Sequence, residues 1–482
     1  MASRRIEPER VRDLNDAPVR SDRRWVLYWM QRSQRAEDNP ALELAVQRAN
    51  DLDLPVLVAF GLTDRYPRAT LRSMAYLVEG LQDVADGLAR RGVAFAPRLG
   101  SPEGVALALA QEAALVVTDR GYLRHMRAWR RRLAAEAPAR VVQVEGDVVV
   151  PADLASDKRE HAARTLRPKL WRHAERFLTE LRTTPSRRPE PDLDPGDDLP
   201  RFDPHDLAGT LARLRVDRAV GPVAGARGGT RAAKRELRRF LDERFAAYAD
   251  HRNQPQTDDV SHLSKPLHYG HLSPVTAAVR AREAAPDPDA LDAFLEELIV
   301  RRELAINFVL HAGDDYDRYE TLPGWARATL DDHRGDRREH VYDDAAFENA
   351  ETHDPYWNAA MREMRASGYM HNYMRMYWGK KILEWSAAPE EAFERAQRLN
   401  DRWFLDGRDP NSYAGVAWCF GLHDRGWTER PVYGKVRYMN ANGLRRKADP
   451  DAYVEKVAAR EREEAGADRS RFGETGAGGT GG

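Results

Sequence analysis

From Arg24 onward the chain alternates short, unbroken apolar runs with amphipathic stretches. The runs are RWVLYWM (24–30), LPVLVAFGL (54–62), VAFAPRL (93–99), ALVVTD (114–119) and RVVQV (140–144). Helices are predicted between them at 40–52 and 70–91, again after Pro102, and, with a basic face, at 122–135. Strands that lack polar alternation are buried on both faces. Five of them separated by helices therefore predict a doubly wound α/β domain with a parallel sheet over residues 23–150, behind an N-terminal tail, 1–22. No G-x-G-x-x-G follows the first strand, so the usual dinucleotide fingerprint is missing and the main cofactor is expected elsewhere.

From about Pro151 the strand pattern stops. Residues 151–230 read as an interdomain linker, because 184–230 is rich in Pro, Gly, Asp and Arg with a short helix inside it. Residues 231–465 read as an all-α domain of helices and irregular loops, and 466–482, ending GETGAGGTGG, as a flexible tail.

One stretch of the helical half carries most of the chemistry. In SGYMHNYMRMYWGKKILEW (367–385), Met370, Tyr373, Met374, Tyr377, Trp378, Ile382 and Trp385 recur at spacings of three and four, which predicts an amphipathic helix with a broad aromatic face. Trp378 and Trp385 then lie on one side with backbones roughly 10 Å apart, within reach of electron hopping. The loop that follows is rich in Asp, Gly, Pro and Asn. An aromatic ladder beside a polar loop suggests a redox cofactor. Of 11 tryptophans, those at 325, 357, 378, 385, 403, 418 and 427 cluster here, with Trp325, Trp403 and Trp427 expected to be core packing.

Composition narrows the partners. With 76 Lys and Arg against 77 Asp and Glu in 482 residues, the net charge of −1 gives no overall bias toward nucleic acid, so a polyanion site must come from local segregation. Arg425–Lys447 supplies it, with basic side chains including Arg425, Arg430, Lys435 and Arg437 against the single acid Glu429, interleaved with Trp427, Tyr433 and Tyr438. A lone cysteine, Cys419, excludes an internal disulfide, and no Cys or His set has metal-ligand spacing, so no metal is expected. With neither a long apolar run nor a signal-like N-terminus, the chain is read as a cytoplasmic monomer away from membranes.

Three segments of the helical half resemble the photolyase and cryptochrome family: SHLSKPLHYGHLS (261–273) its flavin-phosphate segment, EELIVRRELAINF (296–308) its substrate-facing helix, and the 367–413 stretch with RDPNSYAGVAWCFGLHDRGWTERPVYGKVRYMN (408–440) its class II cyclobutane pyrimidine dimer branch. YWMQRSQRAEDNPAL (28–42) and KREHAARTLRPKL (158–170) extend the resemblance over nearly the whole chain. It implies a non-covalent FAD, bent in the helical domain, whose light-excited reduced form passes an electron to a dimer flipped out of damaged double-stranded DNA. By the same resemblance, Ser261, Leu263 and Ser264 hold the pyrophosphate, Tyr248 and Asn372 contact the flavin, Arg375 and Asp406 pair against its ring, and Asn400 sits near N5. Glu297 meets the dimer, and Met376 and Trp418 wall it in. Trp385 is expected nearest the flavin, Trp357 in the middle and Trp378 at the exit. An antenna of the 8-hydroxy-deazaflavin type is the expectation for this branch. A cryptochrome-like blue-light receptor is the alternative; the retained Glu297 and the short Gly-rich end favour the enzyme.

Overall fold

The computed structural model describes residues 6–473, with side chains to 463. Six strands form one sheet: β1 (Val11–Asp13), β2 (Trp25–Trp29), β3 (Val56–Leu62), β4 (Ala94–Leu99), β5 (Ala113–Asp119) and β6 (Arg140–Val144), ordered β1-β6-β5-β2-β3-β4. The five apolar runs became the parallel strands β2 to β6. Every residue of β2, β3 and β5 is buried, as runs without alternation require. Asn39 caps the first helix, Pro40–Leu52, through Ala41 and Leu42, and Thr70 caps Leu71–Arg90.

β1 was not anticipated. It lies within the stretch read as a tail and runs antiparallel to β6, with Val11 opposite Val144. Its three residues, VRD, have no apolar pattern; the adjacent Arg10 holds it by donating to the carbonyls of Glu145, Val148 and Val149. The stretch read as a linker is packed as well. Helix Ala163–Phe177 buries Leu166, Leu170, Ala174 and Phe177 with Phe240 and Phe294 of the helical half, while Leu211 and Leu214 join the core of the α/β domain. The last helix, Pro450–Gly473, runs into the stretch read as a tail, and residues 474–482 lie outside the described residues. No helix among the described residues is long and apolar enough to cross a membrane.

A buried ionic knot joins the two halves. Arg32, just past β2, donates from Nε to Asp147 at 3.1 Å and from Nη2 to Asp409 at 3.4 Å. Asp147 also receives Arg302 at 2.7 Å, and Asp409 is 3.1 Å from His268 Nδ1. Burial works against all these charges, yet the shared cations and hydrogen bonds hold the Asp409 carboxyl far below the ordinary carboxylate range. Arg72 adds a second tie from the α/β domain, donating to the carbonyls of Met364, Arg365 and Trp403.

Asp147→Ala leaves Arg32 and Arg302 buried without their shared partner and should cost about 3–5 kcal/mol. Asp153→Ala, which removes a 62% exposed carboxylate from Arg120, should cost less than about 1 kcal/mol. Chemical denaturation of the two variants measures the difference, and equal midpoints would contradict the buried knot.

Candidate active site

The segment from Ser261, expected from the resemblance to meet the flavin phosphates, forms a concave turn. His262 adopts φ 52° and Leu263 follows with φ −85°, ψ −4°. Alternation of left- and right-handed residues turns successive N–H groups toward one point and makes an anion hollow. Ser261 and Ser264 flank it, Ser264 with an exposed side chain, and Lys265 lies behind against the Tyr369 ring at 5.9 Å. These donors suit a diphosphate.

Arg375 and Asp406 form the anticipated pair, with Nη2 at 3.0 and 2.9 Å from the two carboxylate oxygens. The Arg375 guanidinium also stacks 3.9 Å from the centre of the Phe404 ring, a contact that was not foreseen. Asn372 opens the same helix, Asn372–Trp385, with its side chain exposed.

Asn400 is buried, and its Nδ2 donates to Ser412 at 2.5 Å and to Asp401 at 3.1 Å. Asp401 also receives Gln397, the Arg408 N–H and Arg68, so it acts as an acceptor throughout. A carboxylate cannot donate, so the amide is turned with its NH₂ toward Asp401. Its Oδ1 accepts from no other described residue and is left for a ligand. Asp401 and Ser412 were missed in the sequence because neither side chain needs to touch the ligand itself.

Glu297 lies in a π-helical stretch, Glu296–Arg301, the kind of helix irregularity that often re-aims a functional side chain. Partly exposed, it pairs with Arg252 at 2.6 Å. Tyr248, buried beside Phe240 and Phe294, has its hydroxyl pKa pushed up by burial and then by the Glu297 charge. Met376 and Trp418 emerge at the edge of the aromatic core, where Cys419 Sγ lies 4.0 Å from the Met376 carbonyl. Lys380, also unforeseen, is fully buried beneath them, donates to the Cys419 carbonyl at 2.6 Å and lies 5.1 Å from the Trp418 ring. Burial lowers its pKa to about 8.

The tryptophan order is the reverse of the expectation. Trp378 abuts Phe404 at 6.3 Å and so lies on the Arg375–Asp406 side. Trp357 donates its indole N–H to the Trp378 carbonyl at 3.0 Å and meets Trp385 at 6.0 Å. Trp385 is the outer ring, beside His353 and Tyr342. The reason is helical rise: the helix starts at the ion pair and runs outward, putting Trp378 one turn from Arg375 and Trp385 about 15 Å along the axis.

The basic segment is partly spent. Arg425, Arg430 and Lys435 are exposed, but Arg437 is held by Asp424 at 2.8 Å and stacks on Trp427 at 4.1 Å. Trp427, expected in the core, is 38% exposed between Arg425 and Arg437, because those guanidiniums cover its faces where apolar neighbours would otherwise be needed. Among the described residues no group of His, Cys, Asp and Glu is arranged to hold a metal ion.

A second site lies between the two halves, at the carboxyl ends of β2 and β3, where ligands of open α/β sheets collect. It is a pocket lined by Met30, Gln31, Gln34, Leu62, Tyr66, Met74 and Trp129, and bordered by His268, Tyr269 and Arg408. Both amide atoms of Gln31, Oε1 of Gln34, the Tyr269 hydroxyl and Nη2 of Arg408 are buried there without a partner.

The α/β domain is thus locked to a helical domain that carries an anion hollow, a half-buried ion pair and an aromatic ladder. A family model described as DNA photolyase matches residues 26–190. The chain is 46% identical over 452 residues to a deoxyribodipyrimidine photo-lyase of Methanothermobacter thermautotrophicus, covering 94% of this chain and 98% of that one. It is 41% identical over 454 residues to the one from Oryza sativa subsp. japonica, covering 90% and 87%. Among solved structures, a class III photolyase of Agrobacterium tumefaciens matches with TM-score 0.66 at 19% identity over 90% of this chain and 86% of that one. An archaeal photolyase of Sulfolobus tokodaii, described with two FAD molecules, matches with TM-score 0.66 at 16% identity over 89% and 88%. The chain belongs to the DNA photolyase family.

Proposed function

We propose that this protein is a deoxyribodipyrimidine photo-lyase of the class II kind, which reverses cyclobutane pyrimidine dimers in damaged double-stranded DNA under light. The observation that carries the reading is a set of groups on separate segments: the hollow at Ser261–Ser264, packed on Tyr369 through His262 at 4.7 Å and Lys265 at 5.9 Å, the Arg375–Asp406 pair, and the Oδ1 of Asn400, which accepts from no other described residue. That donor set suits a diphosphate at one end and a flat, redox-active ring at the other, as in FAD. Those residues would hold FAD without a covalent link, and the bound flavin would supply light-driven electron transfer to the dimer.

The chain's own residues do the rest. Arg375 offers a fixed cation and Asp406 keeps it from being an unpaired interior charge. Asn400 presents an acceptor whose direction is set by Asp401 and Ser412. Glu297 receives the flipped dimer, Met376 and Trp418 wall it, and Arg425, Arg430 and Lys435 face the phosphates. Arg437 serves by bracing Trp418 and Trp427. Trp385, Trp357 and Trp378, in that order, relay electrons inward. The interdomain pocket would hold a light-harvesting chromophore of the 8-hydroxy-deazaflavin type, with the unpartnered amide atoms of Gln31 and Gln34 available to its polar groups. The protein works as a monomer in the cytoplasm.

Glu297→Ala and Trp418→Ala should lower repair of dimer-containing duplex while flavin content stays near normal. A lost hydrogen bond to a charged group is worth about 1.5–3 kcal/mol, so Glu297→Ala should slow repair roughly ten- to a hundredfold. Undiminished repair in both variants would remove the dimer site from this wall. Arg375→Ala strands Asp406 and should reduce flavin retention, read by absorption of the purified variant; wild-type flavin content would mean the pair stands apart from the ring.

A further inference from the structure

The proposed relay ends on a ring that solvent cannot reach. Trp385 is 3% exposed, so a dissolved reductant cannot touch it. Two rings cover it: Tyr342, edge-on at 5.8 Å, and His353 at 5.0 Å, with His340 stacked on His353 at 3.8 Å. The Tyr342 backbone N–H donates to the Trp385 carbonyl at 3.1 Å, which ties this loop to the end of the ladder helix. The Tyr342 hydroxyl accepts the His353 backbone N–H at 3.0 Å and lies 2.7 Å from His353 Nδ1. A hydroxyl has one proton, and in the Nε2–H tautomer of His353 it goes to Nδ1. His353 is exposed and Tyr342 half-buried, so the pair spans from the buried ring to the surface.

We propose that Tyr342 and His353 form an outer, proton-coupled stage of the relay, through which water-soluble thiols feed electrons to Trp385. The proposal rests on the relay reading above. Once the ladder has passed one electron inward, Trp385 is a radical cation. Tyr342 gives it one electron while its hydroxyl proton moves to His353 Nδ1, so the indole is restored and a neutral tyrosyl radical and an imidazolium remain. A thiol then gives a hydrogen atom to the tyrosyl oxygen and leaves as a thiyl radical, and the imidazolium releases its proton to water. Atoms and electrons balance, and the hole has moved to a group that solvent can meet.

The surroundings favour this direction. Lys381, although paired with Glu384, keeps its ammonium 5.4 Å from the Trp385 ring, which makes a positive hole there costly. Burial and then His340 lower the His353 pKa from 6.5, Lys381 adds to this, and Asp354 and Glu339 oppose it. The imidazole is thus neutral at neutral pH and free to accept. As the medium becomes acidic enough to protonate it, the stage should close.

Full-length, flavin-loaded protein illuminated without reductant tests the assignment. Beside the radical of the electron acceptor, electron paramagnetic resonance should show a neutral tyrosyl radical in the wild type and a tryptophan radical in its place in Tyr342→Phe. His353→Gln keeps the phenol but removes the base, and should slow tyrosine oxidation roughly a hundredfold, the lower end of what a positioned base contributes. In the dark, the nuclear magnetic resonance titration of His353 should shift in Tyr342→Phe, a readout independent of photochemistry. Trp385→Phe separates the two ideas. If it blocks thiol-dependent photoreduction while Tyr342→Phe matches the wild type in radical spectrum and rate, the outer stage is overturned and the relay stands. If Trp385→Phe photoreduces at the wild-type rate, the relay itself fails, and this stage with it.

Discussion

Three segments of the active site leave from one buried ionic knot. Arg32 and Asp147 of the α/β domain hold Arg302, a few residues beyond Glu297 on the same helical run, and Asp409, which caps the helix Pro410–Cys419 that carries Trp418. Asp409 in turn holds His268, at the end of the turn that begins at Ser261. Buried pairs of this kind are poor sources of net stability, since desolvation consumes most of the attraction. Their value here is registration: the face that carries Trp418, the helical run of Glu297 and the hollow at Ser261–Ser264 are fixed relative to each other by contacts that tolerate little error in direction. The same knot borders the interdomain cavity, so whatever fills that cavity shares Arg32 and His268 with the active site.

The helix Asn372–Trp385 turns this fixed frame into a path. Its first turns hold Arg375 against Asp406 and Phe404, its middle carries Trp378, and its last residue is Trp385 under Tyr342. Polarity falls and rises again along it. An ion pair stands at the inner end, apolar rings lie in the middle, and a hydroxyl–imidazole pair stands at the outer end. Between the two ends the ammonium of Lys381, 5.4 Å from the Trp385 ring, disfavours a positive charge resting on that ring.

Much of this was legible in the chain. Unbroken apolar runs at 24–30, 54–62 and 114–119 have one structural solution, a sheet covered on both faces, and they took it. Trp378 and Trp385 were found because their helical spacing is local, whereas Arg375 and Asp406, 31 residues apart, were assigned through the family resemblance. What escaped is what depends on long-range pairing. β1 is held by Arg10 and not by an apolar pattern, Ser412 orients Asn400 from 12 residues away, and Lys380 is buried on a face where a lysine would ordinarily reach for solvent. The relay order was misjudged although the sequence contained the answer: Arg375 lies three residues from Trp378 and ten from Trp385, so only Trp378 can be near the pair. Trp427 was misjudged because two arginines can replace a core around an indole.

The most direct measurement is the fate of cyclobutane dimers in a defined duplex mixed with the purified, flavin-loaded and chemically reduced protein. Dimers should disappear under blue and near-ultraviolet light and persist in the dark, with intact pyrimidines restored and no strand cut. Dimer loss in the dark, or no loss under light despite bound flavin and bound duplex, would contradict the account.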